Sequence, residues 1–396
     1  MDKMRLAVFN TQPPHLYTGG VERRIRESTL RLVNSVDITV YSGTKASFKK
    51  PVKINGVFFV PLASTDSVYP LDNWTFNRTV SKTNFNANVY EVHNDNGYGL
   101  LKAFKNRSIK KAVVHTVHGV LADEFEQAKL NGCLPFRSRI ANCFMARLAR
   151  LEGKTVKEAD FVVTISKYSF EKMQKYYDVD PLKVCIVPNG VDLEKFCSAK
   201  DPVLIKAQFG LRDVPVVLFV GSLIPRKGLM FLVEAAKHVV KFQSNVQFVI
   251  VGDGPLKNWL FNCLMDAKLL DNFVFKNGLS EIELSALYSC CDVFVLPSIQ
   301  EGQGIVLLEA SASEKPVVAF NIGGVNEVVV NGETGLLADC GCSGELAELL
   351  LKLLGDVNLR QNMGLAGRKF VSEKFTWDIC AQKMFRVYQD VLGCVV

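Results

Sequence analysis

The sequence predicts an α/β protein made of two doubly wound, Rossmann-like domains that face a central cleft. Three observations lead there. Short apolar segments bounded by turn residues alternate with longer amphipathic ones along the chain, the pattern of βαβ units and parallel sheets. Several of the apolar segments end in a glycine-containing loop followed by a helix start. A length of 396 residues suffices for two full cores.

In order, the first half carries expected strands at 6–10, 38–41, 57–61, 89–93, 112–116, 161–165 and 184–187. The second half carries them at 216–220, 247–251, 273–275, 293–296, 316–319 and 335–338. The seam is expected just after Pro188-Asn189-Gly190-Val191-Asp192. That gives a first domain of 1–195 and a second of 196–376, with a last helix from Trp377 crossing back so that 377–396 joins the first.

The first strand opens into Gly19-Gly20-Val21-Glu22 ahead of a helix expected at 23–32. Glycines between a strand end and a helix start admit a phosphate or sugar ring. The GxGxxG fingerprint is absent, so a nicotinamide dinucleotide is not indicated. The strand at 112–116 ends in His115-Thr116-Val117-His118-Gly119. Ligands of doubly wound sheets gather beyond the carboxyl ends of strands, where His118 falls; His115 lies within the strand and reads as structural. His93, at the end of its own strand, is left undecided.

In the second half, 216–220 leads into Gly221-Ser222-Leu223-Ile224-Pro225-Arg226-Lys227-Gly228. Adjacent cations there suit a departing diphosphate. The loop Gly252-Asp253-Gly254-Pro255 is placed as a wall of the same cleft. The most informative passage is Glu301-Gly302-Gln303-Gly304-Ile305-Val306-Leu307-Leu308-Glu309, in which a glycine loop leads into a helix expected from Ile305 to Ala312. Free N–H groups at a helix start suit a phosphate, so Gly304, Ile305 and Val306 are read as donor-binding backbone. Glu309, about a turn into the helix, is read as an acceptor for a pair of sugar hydroxyls. Asp178-Val179-Asp180 has the form of a metal–diphosphate motif but precedes Pro181 in a turn, and no metal site is expected.

Composition is that of an ordinary soluble protein, 48% hydrophobic and 22% charged. No apolar stretch approaches the roughly 18 residues of a membrane span. The first apolar run is too short for a signal peptide, and a cytoplasmic location is expected. Eleven cysteines without a CxxC pair read as reduced thiols. Residues 1–200 hold 30 Lys and Arg against 19 Asp and Glu, the remainder 17 against 21. Part of that basic excess falls in 136–157, where Arg137, Arg139, Arg147, Arg150, Lys154 and Lys157 accompany an apolar stripe at 140, 144, 148 and 151. Its polar face suits an anionic membrane surface or acceptor, hence a peripheral contact at the inner face of the membrane. No RNA-module motif appears, and nucleic acid is not an expected partner.

Taken in order, Gly19-Gly20, His118, Pro188–Asp192, Arg226-Lys227-Gly228, Gly252–Pro255 and Glu301–Glu309 resemble the retaining GT-B glycosyltransferases of family 4, over essentially the whole chain. The resemblance implies acceptor binding by the first domain and nucleotide-diphosphate-sugar binding by the second, with no metal or other cofactor. It implies that Glu309 binds the ribose and Glu301 faces the transferred sugar. The diphosphate falls to Arg226, Lys227 and the backbone at Gly304-Ile305-Val306, the acceptor-side sugar contact to His118, and the approach of the donor phosphate to Gly20. It further implies a glycan or lipid-linked acceptor. The chain departs from the family's pattern at Ser222, where many members carry arginine, and Arg226 stands as the substitute. Two rival readings are a sugar-nucleotide epimerase and a non-catalytic scaffold of the same fold.

Overall fold

The computed structural model describes residues 3–66, 71–106, 111–130, 136–198 and 201–395, with side chains omitted at 128–130, 136–144 and 395. The chain forms two compact units, one of Met1–Asn189 with Trp377–Val396, the other of Gly190–Thr376.

The first unit is an eight-stranded sheet: β1 (Met4–Phe9), β2 (Val36–Gly43), β3 (Val52–Ile54), β4 (Val57–Leu62), β5 (Val89–His93), β6 (Ala112–Val117), β7 (Phe161–Thr164) and β8 (Val184–Ile186). Their order is β3-β4-β2-β1-β5-β6-β7-β8. All neighbours are parallel except β3 and β4, an antiparallel hairpin turned at Asn55-Gly56, both at positive φ, the conformation that the Asn-Gly pair favours. β3 was not foreseen: its three residues are all exposed and carry no buried face to read. The strands β1, β5 and β6 are buried nearly throughout, as expected of a parallel sheet covered on both faces. The last helix, Trp377–Val395, belongs to this unit. Its Asp378 pairs with Arg31 of helix Gly20–Leu32 at 3.1 Å, and its Met384 sulfur accepts from Arg24 at 3.3 Å.

The second unit holds β9 (Val216–Val220), β10 (Gln247–Val251), β11 (Phe273–Lys276), β12 (Val293–Leu296), β13 (Val317–Phe320) and β14 (Gly335–Ala338), in the order β11-β10-β9-β12-β13-β14, all parallel. This is the 3-2-1-4-5-6 arrangement of a doubly wound nucleotide-binding sheet. The unit begins at Gly190, earlier than the expected seam at 195/196. Hydrogen bonding ties these residues to the second unit: Val191 N–H donates to Phe375 O at 2.8 Å, and the Arg368 guanidinium donates to Leu193 O at 3.1 Å.

Among helices of the first unit, Phe136–Glu158 buries Glu152. Its Oε2 accepts from Tyr177 Oη at 2.5 Å and from Leu121 N at 3.0 Å. Burial outweighs both hydrogen bonds and pushes this carboxyl from 4.5 up to about 8. Between those values the folded chain keeps a proton that the unfolded chain releases, so stability falls as pH rises through the window, at up to about 1.4 kcal/mol per unit. Glu152→Gln retains an oxygen acceptor and cannot titrate. In urea unfolding at a series of pH values, the stability of wild type relative to Glu152→Gln should therefore fall by a few kcal/mol from about pH 5 to 8. A constant difference would mean the carboxyl is not held protonated.

Candidate active site

In a 3-2-1-4-5-6 sheet the winding reverses between the first and fourth strands, here β9 and β12, leaving a crevice beyond their carboxyl ends. The loops that leave those two strands carry the predicted cations and the first carboxylate. After β9 the chain makes a single tight turn, Pro225–Lys227, and Lys227 is buried. After β12 comes Pro297-Ser298-Ile299-Gln300-Glu301. Lys227 Nζ donates to Glu301 Oε2 at 2.5 Å, Arg226 lies 4.0 Å from the same oxygen, and Ser298 Oγ donates to it at 3.4 Å. Burial alone would raise the Glu301 carboxyl. The charges of Lys227 and Arg226, with hydrogen bonds from Lys227 and Ser298, outweigh it and hold the group below its usual range.

The two loops are also joined through their backbones, since Ile299 N–H donates to Arg226 O at 2.9 Å. Gly228, at φ +67°, completes the turn and opens helix Leu229–Phe242. A Cβ there would collide with the Pro297 carbonyl oxygen, so only glycine lets the cation loop press this close to β12. The Gly252–Gly254 loop backs the same turn, its Asp253 carbonyl accepting from Leu223 N–H at 2.9 Å.

Helix Ile305–Ala312 forms over the predicted residues. Gly304 is its N-cap at φ +84°, and no side chain caps it. The first-turn N–H groups are thus not consumed by a capping side chain, and the helix dipole adds partial positive charge at that end. A Cβ on Gly304 would lie 3.3 Å from Glu301 Cγ, which places the helix start directly beside that carboxylate. Ile305 and Val306 are half-buried, and Glu309, a turn further in, is 1% exposed. The whole loop leans on the next one, where Gly324 N–H donates to Glu301 O at 3.0 Å.

The first unit has its own point of reversal, between β1 and β5. Gly19 and Gly20 are exposed there, Gly19 as N-cap and Gly20 as first residue of the helix that was expected to begin at Arg23. The glycines are therefore the helix end itself. Asn94, just beyond β5, adopts φ +49° and accepts from His118 N–H through Oδ1 at 3.0 Å. Asn96 links this turn back to the β1 loop, donating to Asn10 Oδ1 at 3.4 Å and accepting from Thr11 Oγ1.

His118 Nε2 lies 2.9 Å from His93 Nδ1. His115 is fully buried with Nε2 2.5 Å from the Asn94 carbonyl, a structural role. Burial brings His93 and His115 down to about 4 and carries His118 well below its ordinary value, so all three are neutral at physiological pH.

The structure thus joins Arg226, Lys227, Glu301 and Gly304 in the second unit, with Glu309 on the helix that Gly304 opens. It joins His118 to the β1 loop in the first, through the Asn94–Asn96 turn. Sequence reasoning missed Glu91 and Arg24 and left His93 open. A glutamate inside the otherwise buried strand Val89-Tyr90-Glu91-Val92-His93 was the available clue, because a carboxylate there must have partners. Arg24 is 1% exposed, donating to Val187 O at 2.8 Å and Asn189 Oδ1 at 3.0 Å. It is no part of a basic surface.

Asp178 and Asp180 form turns: Asp178 ends a helix at φ +49° and Asp180 accepts from Leu182 N–H at 3.0 Å. Among the described residues no three His, Cys, Asp or Glu side chains are grouped to hold a metal. Nor is any described helix long and apolar enough to cross a membrane. Nine cysteines have described side chains, and all nine are free thiols.

Two parallel doubly wound units, each with polar residues gathered at its point of reversal, define a GT-B fold. The family model for Glycosyl transferases group 1 matches residues 204–370, and that for Glycosyltransferase Family 4 matches residues 18–195. The chain belongs to the group 1, family 4 glycosyltransferases.

An uncharacterized glycosyltransferase of Methanocaldococcus jannaschii is 31% identical over 242 residues, covering 59% of this chain and 60% of its own length. The GDP-mannose-dependent alpha-(1-6)-phosphatidylinositol monomannoside mannosyltransferase of Mycobacterium tuberculosis is 32% identical over 235 residues, covering 57% and 60%. The chain thus spans about 60% of the length of these curated relatives. In fold it is similar to the sucrose-phosphate synthase of Thermosynechococcus elongatus, with a TM-score of 0.84, 20% identity, and coverage of 99% of this chain and 100% of the other.

Proposed function

We propose that the protein is a retaining, metal-independent glycosyltransferase that moves a hexosyl group from a nucleotide-diphosphate sugar to a glycan or glycolipid acceptor. The observation that carries this reading is the Lys227–Glu301 pair at 2.5 Å, set between β9 and β12 beside a helix start with no side-chain cap. Lys227 is buried and already directed at an anion. A diphosphate would displace it from Glu301 and take its charge, with Arg226 and the first-turn N–H groups at Gly304, Ile305 and Val306 sharing the load. Glu301, released from Lys227, would then accept from hydroxyls of the transferred sugar, and Glu309 from the ribose. With two cations and a helix end available, the leaving group needs no metal. Attack from the face that the diphosphate leaves would let its oxygen take the acceptor's proton, which keeps the anomeric configuration.

In the first unit, His118 is proposed to meet the sugar, and Gly19 and Gly20 to admit the donor phosphate. The exposed Arg147, Arg150, Lys154 and Lys157 form one side of the long basic helix. They suit an anionic lipid surface, while Arg137, Arg139, Ile140 and Phe144 lie outside the described side chains. Sedimentation with liposomes tests that contact; equal pelleting with neutral and anionic lipid removes it.

A thermal-shift screen against UDP-, GDP- and ADP-sugars tests the donor class, and the anomeric form of the product by NMR tests retention. Glu309→Ala is expected to weaken binding of the best donor about 10–100-fold by calorimetry, the worth of hydrogen bonds to a charged acceptor. Unchanged affinity would remove Glu309 from the site.

A further inference from the structure

Behind His118 runs a chain of buried polar groups that fixes more than its position. His118 Nε2 faces His93 Nδ1 at 2.9 Å, and the other nitrogen of His93 lies 3.4 Å from Glu91 Oε1, an ion-pair distance. Glu91 is 3% exposed and held from two further sides. Thr116 Oγ1 donates to Oε1 at 2.7 Å, and Tyr388 Oη, from the returning C-terminal helix, donates to Oε2 at 2.6 Å. Both oxygens of the Glu91 carboxyl thus serve as hydrogen-bond acceptors. Arg24 stands in the same buried region and disfavours a second cation on either imidazole.

A neutral imidazole carries one N–H, and its tautomer follows from its partners. Were the His93 proton on Nδ1, the Nε2 lone pair would face a carboxylate in a site with little water, a repulsive arrangement. With the proton on Nε2, the His93 N–H lies 3.4 Å from Glu91 Oε1, an electrostatic contact rather than a hydrogen bond, and its Nδ1 must accept. The group opposite is His118 Nε2, which must then be the donor. The half-buried His118 is left with a lone pair on Nδ1.

We propose that Glu91 and His93 are positioning residues that lock His118 as the Nε2–H tautomer, so that His118 meets a ligand hydroxyl as a hydrogen-bond acceptor through Nδ1. The tautomer stands on the first unit's own geometry; only the identity of the hydroxyl, as one of a sugar, rests on the glycosyltransferase reading. A ligand hydroxyl that must donate is then distinguished from a group that can only accept, such as fluorine or a carbonyl. In this arrangement Tyr388 ties the C-terminal helix to the same carboxylate.

The test needs no substrate, so its failure is separate from failure of the proposed function. The full chain labelled with ¹⁵N-histidine contains five imidazoles. Long-range ¹H–¹⁵N spectra at neutral pH report which nitrogen of each carries the proton, with His118→Asn and His93→Asn identifying the relevant signals. The expected result is a protonated Nε2 and a bare Nδ1 for both residues. In Glu91→Gln, whose amide offers a donor as well as an acceptor, the single-tautomer pattern of His118 is expected to be lost. Circular dichroism serves as the check on folding. An Nδ1–H tautomer of His118 in the unsubstituted protein overturns the proposal, as does an unchanged Nε2–H pattern in folded Glu91→Gln. Should that variant not fold, the unsubstituted spectrum decides alone.

Discussion

Lys227→Ala is expected to lower turnover about 10²–10³-fold, the range for removing one preorganised group that meets developing charge. Lys227 is poised for this because burial and the 2.5 Å contact with Glu301 fix its ammonium before any ligand arrives. Charge on a diphosphate grows as the glycosidic bond breaks, so the loss should fall more on turnover than on donor affinity. The substitution also leaves Glu301 with the Ser298 hydroxyl and only the more distant, half-exposed Arg226 as a cation, so its carboxyl should rise. A double variant with Glu301→Gln separates these effects. If the fall in turnover came only from an unpaired Glu301, Lys227→Ala would cost nothing further in the Glu301→Gln background; the account predicts that it still lowers turnover there. A folded Lys227→Ala enzyme turning over at the wild-type rate would take Lys227 out of the chemistry.

Gly228→Ala is expected to destabilise the second unit by about 2–5 kcal/mol, although it adds only a methyl group. A left-handed alanine costs about 1–2 kcal/mol, and a methyl forced against packed atoms about 1–3 kcal/mol more. At φ +67°, with the Pro297 carbonyl where the Cβ must go, the position incurs both costs. Relief requires the Pro225–Lys227 turn to move off β12, which would separate Lys227 from Glu301. Donor affinity should therefore fall along with the urea midpoint. Stability within about 0.5 kcal/mol of wild type, the usual range for surface changes, would mean that the two loops are not in contact.

Much of this arrangement is legible in the sequence because local chemistry and the larger fold demand the same residues. Helix Ile305–Ala312 was read to its ends, since Gly304 marks the cap and an unbroken apolar run follows. The strands Val216–Val220 and Val293–Leu296 were read likewise, being apolar on both faces and ended by turn residues. From those strands and their loops, Lys227 and Glu301 could be placed at one end of a sheet. That they touch could not be read, because 74 residues separate them and contact depends on β9 and β12 being neighbours.

The same limit hid the chain behind His118. Glu91 and Tyr388 are 297 residues apart and meet only because the last helix returns to the first unit. Arg24 is counted only within the basic excess of residues 1–200, since nothing local reveals that its partners lie beyond β8. The exposed strand Val52–Ile54 escaped for the opposite reason, since with no buried face it has no pattern to follow.

The central claim is that protein groups, rather than a bound cation, neutralise the diphosphate. Calorimetric titration of the preferred nucleoside diphosphate, with and without a metal chelator, into wild type and Lys227→Ala tests it directly. The account predicts equal wild-type affinity with and without the chelator, and weaker binding to Lys227→Ala in both conditions. Binding that vanishes on chelation, and that Lys227→Ala leaves untouched, would contradict it.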